Sequence, residues 1–294
     1  MMKRAGNWLH AIWDSIEEFE DAKEWMVANE YGGWPTYEAR RPDYGWFAEE
    51  AISYAEATKR VRDGDHGVWQ KLRTYADRIQ GQYLNTDTTR IQVRRRKRVA
   101  SDHGDVLHIT KVWNGQLDKA WDRPVRRSHM SVSERYATIF IDVGANASID
   151  AHQCYWRGAA ALIMNDILVR SGRNVEIYVG ESRTDHSFGL VGPAHYSWAM
   201  RVKGFREVLS EERLAAMVTM TYFRTYGFKA IAAAPFRISS TFGRAVRVNH
   251  LPGLLQERAD SGQLIGMINH CFTQDEALEA LNTIVAQLQR AEAA

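Results

Sequence analysis

The sequence predicts an α/β protein whose core is an open, mostly parallel sheet flanked by helices, preceded by a helical layer and a basic β-hairpin. Three observations in the middle of the chain carry this reading. Tyr136 to Asp142 (YATIFID) is a run of β-branched and aromatic residues, and the polar Gly144, Ala145, Asn146, Ala147, Ser148 segment follows it, so a strand feeds a loop. From Asp150 to Ser171 the residues Trp156, Ala160, Ile163, Met164, Ile167 and Leu168 recur at intervals of three and four before Gly172, which gives a helix one buried face and a glycine to end it. Asn174 to Gly180 (NVEIYVG) then alternates and finishes on glycine. Strand, loop, helix and strand in that order and length make a right-handed βαβ crossover.

Composition narrows the setting. A chain of 294 residues holds one large or two modest domains, and its net charge of +2 puts any attraction for polyanions into local clusters rather than the whole surface. The two cysteines, Cys154 and Cys271, form neither a disulfide framework nor a metal motif, which fits a reducing cytoplasm. Met1 to His10 lacks an apolar signal region, and no long apolar run follows, so neither secretion nor a membrane span is expected.

Taken in order, Trp8 to Asn29 places Leu9, Ile12, Trp13, Ile16, Phe19, Trp25 and Met26 on one helical face, with Glu17, Glu18, Glu20, Asp21 and Glu24 as its solvated side. Gly32, Gly33, Pro35, Pro42 and Gly45 interrupt the pattern, and helices resume over Phe47 to Arg62 and Val68 to Ile79. Residues 1–85 therefore read as an N-terminal helical region. Six tryptophans fall in it: Trp8, Trp13, Trp25, Trp34, Trp46 and Trp69. Those on helical faces are core, while Trp34 and Trp46, beside Gly/Pro-rich loops, are candidates for base stacking.

Residues 86–130 change character and read as a basic β-hairpin region. Thr89 to Ala100 (TRIQVRRRKRVA) sets Arg90, Arg94, Arg95, Arg96, Lys97 and Arg98 among Ile91, Val93 and Val99, and Val106 to Trp113 (VLHITKVW) alternates after a polar turn. In a strand Arg94, Arg96 and Arg98 share one face and Arg95 and Lys97 the other, so the ribbon cannot bury both. Edge protection needs one or two lysines; five basic residues in succession, mostly arginine, suit a phosphate backbone. Lys111, Trp113, Arg126 and Arg127 extend the candidate nucleic-acid-binding set.

Residues 131–294 form the predicted α/β core. After the central unit, Ser182 to His195 reads as a loop and Ser197 to Gly204 as a strand. Asp185, His186 and His195 lie in or beside that loop without a nucleophile or close ligand spacing, so no catalytic residue is assigned and the protein is read as a non-enzyme. Glu211 to Tyr226 is a helix, Lys229 to Ala234 a buried strand and Arg237 to Val248 a second basic stretch. Leu264 to Asn269 is a last strand, and Thr273 to Ala291 a closing helix capped by Thr273 with Glu276 three residues on.

Three resemblances add expectations. Asp142 and its loop resemble the first strand and loop of von Willebrand factor A-type domains, whose metal site is written Asp-x-Ser-x-Ser. Here Gly144 and Asn146 stand at the two serine positions, so Asp142 ends a central strand and no metal is expected. The segment Arg157, Gly158, Ala159, Ala160, Ala161, Leu162, continued to Gly172, Asn174, Val175, Glu176 and Ile177, resembles a group of tailed-phage proteins of unknown function. More loosely, the basic ribbon with many aromatics looks like the single-stranded-DNA-binding cofactors that some podoviruses use with their RNA polymerase. The resemblances imply a von Willebrand A-like core and a phage-encoded protein in the host cytoplasm. They imply no cofactor, and as partners single-stranded DNA and an RNA polymerase or another phage protein. The expected function is non-catalytic DNA binding by a homo-oligomer, accessory to transcription or replication; the alternative is a von Willebrand A-like protein-binding adaptor.

Overall fold

The structure, a computed structural model, describes residues 2–5, 8–21, 53–85, 98–101, 106–107, 109–124, 136–145, 149–184, 195–227, 253–269 and 271–293. In chain order, β1 (Met2–Ala5) and β2 (Trp8–Trp13) lead into a short helix α1 at 16–21, and α2 (Tyr54–Asp63) and α3 (His66–Asn85) follow. Next come β3 (Arg98–Ser101), β4 (Val106–Leu107), α4 (Ile109–Trp113) and β5 (Trp121–Pro124). The core contributes β6 (Tyr136–Asp142), α5 (Cys154–Arg170), β7 (Asn174–Thr184), β8 (His195–Lys203), α6 (Glu211–Met217) and α7 (Met220–Tyr222). α8 (Gly253–Asp260), β9 (Leu264–Ile268) and α9 (Gln274–Ala293) close it.

Six strands form one sheet in the order β1-β2-β8-β7-β6-β9. The pairs β2–β8, β7–β6 and β6–β9 are parallel, whereas β1–β2 and β7–β8 are antiparallel. The mostly parallel α/β sheet flanked by helices that the pattern predicts is therefore present. β6, interior and covered on both faces, buries every residue from Ala137 to Asp142, which is why its sequence is a nearly continuous apolar run. Ala137, Ile139 and Ile141 join the larger core, with Leu72 of α3, Met164 of α5, Leu214 of α6 and Leu281 of α9. Phe140 turns to the opposite face, where Tyr178, Ala199, Ile265 and Leu255 of α8 form a smaller core.

Close approaches fix how α5 and β7 sit. A Cβ added to Gly158 would lie 2.3 Å from Leu72 Cδ1 and 2.6 Å from Val218 Cγ2, so α3 and α5 pack through a position that admits no side chain. A Cβ at Gly180 would fall 2.0 Å from the Trp198 carbonyl oxygen; this glycine lets β7 and β8 pair. On the smaller-core face Arg258 of α8 forms an ion pair with Glu176, donates to Thr138 Oγ1 at 2.8 Å and lies over the Tyr178 ring. At the end of the chain, Thr273 Oγ1 accepts from Glu276 N at 3.3 Å and Glu276 Oε2 accepts from Thr273 N at 3.0 Å, the reciprocal cap read from the sequence.

Four sequence expectations differ from the structure. The loop expected over Ser182 to His195 is shorter, because β7 continues past Gly180 to Thr184 and pairs with β8, which begins at His195. Trp8 to Trp13 is a strand rather than the start of a helix, because a short apolar segment fits both periods and pairing with β1 and β8 decides it. The helix expected over Glu211 to Tyr226 breaks after Met217 and restarts where Thr219 Oγ1 accepts from Tyr222 N at 3.0 Å; it ends as a π-helix over Phe223–Gly227. The second hairpin strand expected over Val106 to Trp113 is confined to β4, and Ile109–Trp113 is helical. β3 and β4 both pair with β5, not with each other, giving a three-stranded sheet in the order β3-β5-β4.

Candidate functional site

The parallel pairing of β6 and β7 sets Asp142, the last residue of β6, opposite Gly180, with Glu181 one residue beyond in β7, which runs on to Thr184. Open α/β sheets offer their ligand sites at the carboxyl ends of strands such as β6. Asp142 is 4% exposed and Glu181 2%. Asp142 Oδ1 accepts from Gly144 N at 2.8 Å and Oδ2 from Ser182 N at 3.4 Å, so the carboxylate fastens its own loop to the neighbouring strand. Trp198 Nε1 donates to Glu181 Oε2 at 3.4 Å. A Cβ at Gly144 would come within 2.9 Å of Asp142 Oδ1 and 3.1 Å of Glu181 Oε1; the two carboxylates flank a glycine that leaves them room.

Two arginines complete this buried cluster. Arg157, on the first turn of α5 and 0% exposed, donates from Nε to the Val218 carbonyl that the broken α6 leaves open, at 2.8 Å. Its Nη1 and Nη2 have no hydrogen-bond partner among the described residues, and its guanidinium lies 6.0 Å from the centre of the Phe272 ring. Arg224 Nη2 donates to the Ala145 carbonyl at 3.3 Å, holding the loop from the other side. Burial first, and then the charge of Glu181, lift the Asp142 carboxyl to about 7, against the pull of the Gly144 and Ser182 N–H groups and the Arg157 charge. Burial likewise pushes the Cys271 thiol up, so it is a poor nucleophile.

This geometry does not suit the metal site of a von Willebrand A domain. Gly144 has no hydroxyl to offer, and the space its side chain would fill is taken by the two carboxylates. Among the described residues no group of three or more His, Cys, Asp or Glu is placed to hold a metal ion. Glu181, Arg157 and Arg224 are the members that sequence reasoning missed. Glu181 was within reach, since pairing YATIFID with NVEIYVG sets Asp142 beside the residue after Gly180; no local pattern points to the arginines.

The basic region is described in part. Arg98 opens β3, paired opposite Pro124. Lys111 and Trp113 lie on α4, Lys111 half-buried and Trp113 83% exposed. Ile109 at 59% and Leu117 at 62% are exposed beside it, as is Lys119. Arg90, Arg94, Arg95, Arg96, Lys97, Arg126 and Arg127 lie outside the described residues, as do Trp34, Trp46, Asp185, His186 and the stretches 229–234 and 237–248. Of the tryptophans read as core, Trp13 is 3% exposed, and Trp69 packs partly buried with its Nε1 donating to Glu211 Oε2 at 2.8 Å. No described helix is long and apolar enough to cross a membrane.

No curated protein matches the chain, and no solved structure matches it. One family spans it almost from end to end: residues 7–291 match Domain of unknown function (DUF7192), a stretch that takes in the three-stranded sheet and every strand of the six-stranded one except β1. The chain belongs to the DUF7192 family.

Proposed function

We propose that the protein binds nucleic acid without catalysis, gripping the backbone of single-stranded DNA with the arginine run and stacking bases on Trp113. The observation that carries this reading is the 83% exposure of Trp113, in a small sheet module that also presents Lys111 and begins at the last arginine of the run. A buried-core role would have enclosed so large an aromatic. Exposed aromatics beside cations are the parts of a sequence-tolerant single-strand site. The resemblance of the Arg157 to Ile177 segment extends the proposal to an accessory role in phage transcription or replication, with RNA polymerase or another phage protein as partner.

The test is fluorescence anisotropy with a labelled oligothymidylate at two salt concentrations. Binding weakens steeply with salt, and Trp113→Ala weakens it by about 5- to 150-fold, the worth of about 1–3 kcal/mol of stacking. Absence of binding at low salt sinks the proposal. The adaptor reading is favoured by one observation, the placement of Asp142 at the carboxyl end of an interior strand of a parallel βαβ unit. It gains ground if DNA fails to bind and Asp142→Ala abolishes capture of a protein partner.

A further inference from the structure

A second site lies where β2 ends. The chain leaves the sheet at Asp14 and Ser15, turns into α1, and forms one wall of a polar cleft of about 350 Å³. β8 supplies Arg201, the end of α2 supplies Arg62 and α6 supplies Arg213. Buried Ile16 and Val202 line it between the charged groups. Three separate elements, two of them consecutive in the chain, thus each deliver a guanidinium to one concavity, which is of a size that small ligands occupy.

The hydrogen-bond inventory of the cleft is unequal. Asp14 Oδ1 is paired with Arg201 Nη1 at 3.4 Å. Glu207 Oε2 accepts from Gly204 N at 2.6 Å, and its charge faces that of Lys203. Glu17 is held below its ordinary range first by its own backbone N–H and then by Ser15 and the charges of Arg62 and Arg213. One carboxylate therefore stands before two guanidiniums. Arg213 spends Nε on the Val61 carbonyl at 3.2 Å, which fixes its fork, and Arg62 makes no hydrogen bond among the described residues. The three carboxylates of the cleft match its three arginines in number, and the Nη groups of Arg62 and Arg213 make no hydrogen bond among the described residues.

We propose that this cleft binds a small phosphate monoester, its phosphoryl oxygens held between the Arg62 and Arg213 forks. Arginine forks match phosphate oxygens two at a time. The Arg201–Asp14 pair fixes the opposite wall, and the apolar floor excludes water from beneath the ester. The site is separate from the Trp113 module and does not depend on that proposal.

Isothermal titration of the full chain with ribose 5-phosphate, and with inorganic phosphate, tests it. Both bind, the ester more tightly, and Arg62→Gln weakens each by about tenfold through loss of one fork. Arg213→Lys, which keeps the charge, weakens them similarly because the fork and not the charge alone is recognised. Circular dichroism and melting temperature match wild type for Arg62→Gln, since that side chain is exposed, so a failure to fold cannot imitate the result. No heat with either ligand at about 10 mM, or undiminished binding in the Arg62→Gln, Arg213→Lys double variant, overturns the proposal. An oligothymidylate lacking a terminal phosphate serves as the second arm. If it leaves bound ribose 5-phosphate in place, the cleft takes free phosphate esters; if it displaces the ester and Arg62→Gln weakens both, the cleft belongs to a nucleic-acid path and the small-ligand assignment falls.

Discussion

Asp142 is a carboxyl whose ionisation works against the fold. Burial and Glu181 lift it from the ordinary 3.8 to about 7, so between those values the folded chain keeps a proton that the unfolded chain has released. Stability from this group is complete below about pH 4 and is lost as pH rises through 7, the reverse of a salt-bridged aspartate. Glu181→Gln removes the like charge, while its amide oxygen still accepts from Trp198 Nε1. Urea midpoints at pH 5 and pH 8 are expected to show wild type losing on the order of 2–4 kcal/mol across that interval and the variant losing clearly less. Equal stability of wild type at the two pH values would refute the account. Burial likewise disfavours the charge on Lys203, whose Nζ donates to the Val175 and Gly204 carbonyls.

At the scale of elements, α8 is held by Leu255 in the smaller core and by one charged residue, Arg258. Glu176 keeps only 4% of its side chain exposed, accepts from the Thr138 and Tyr178 hydroxyls and has Arg258 as its ion-pair partner, so Arg258→Ala leaves a buried carboxylate without its counter-charge and is expected to cost about 3–5 kcal/mol. Replacing both, Arg258→Met with Glu176→Gln, costs less than the single change; a double-mutant cycle by chemical denaturation checks the difference. The α3–α5 crossing predicts the converse fault. Gly158→Ala puts a methyl where Leu72 Cδ1 and Val218 Cγ2 already are, and overpacking of about 1–3 kcal/mol is expected as a lowered melting temperature. These elements also show what the sequence could reveal. β6, α5 and β7 were legible because each pattern is long enough to favour one period; Gly172 marks the end of α5, whereas β7 continues past Gly180 to Thr184. β2 was not, since Leu9, Ile12 and Trp13 satisfy a helical face as readily as a strand, and its partner lies far along the chain. The break at Thr219 was hidden because the apolar positions on both sides keep a helical period. The phosphate cleft had no local signature at all, its arginines arriving from three separate elements.

For the whole molecule, the near-balanced charge of +2 conceals a sharply local basic stretch. Neutralising three phosphates on a single strand contributes about 2 to the slope of log affinity against log salt. Replacing Arg94, Arg96 and Arg98 by alanine is therefore expected to lower that slope by about 2 for every base sequence. An unchanged slope would assign the arginines another purpose. Oligomer formation bears on the same measurement, since one strand of nucleic acid engages only one face of a ribbon; sedimentation with and without oligonucleotide separates monomer from assembled protein.

The place of β2 in the sheet has a consequence for how the protein is made. Trp8 has its parallel partner at His195, so β2, once beside β1, waits for most of the following chain before it can pair with β8. At about 5–20 residues per second that delay is roughly 10–40 s. Throughout it an apolar segment ending in Trp13 has neither β8 beside it nor the core beneath it, and is open to chaperones or to a neighbouring nascent chain. Yield in a heterologous host should accordingly respond to slower synthesis and to chaperone supply more than to changes that raise the stability of the finished fold.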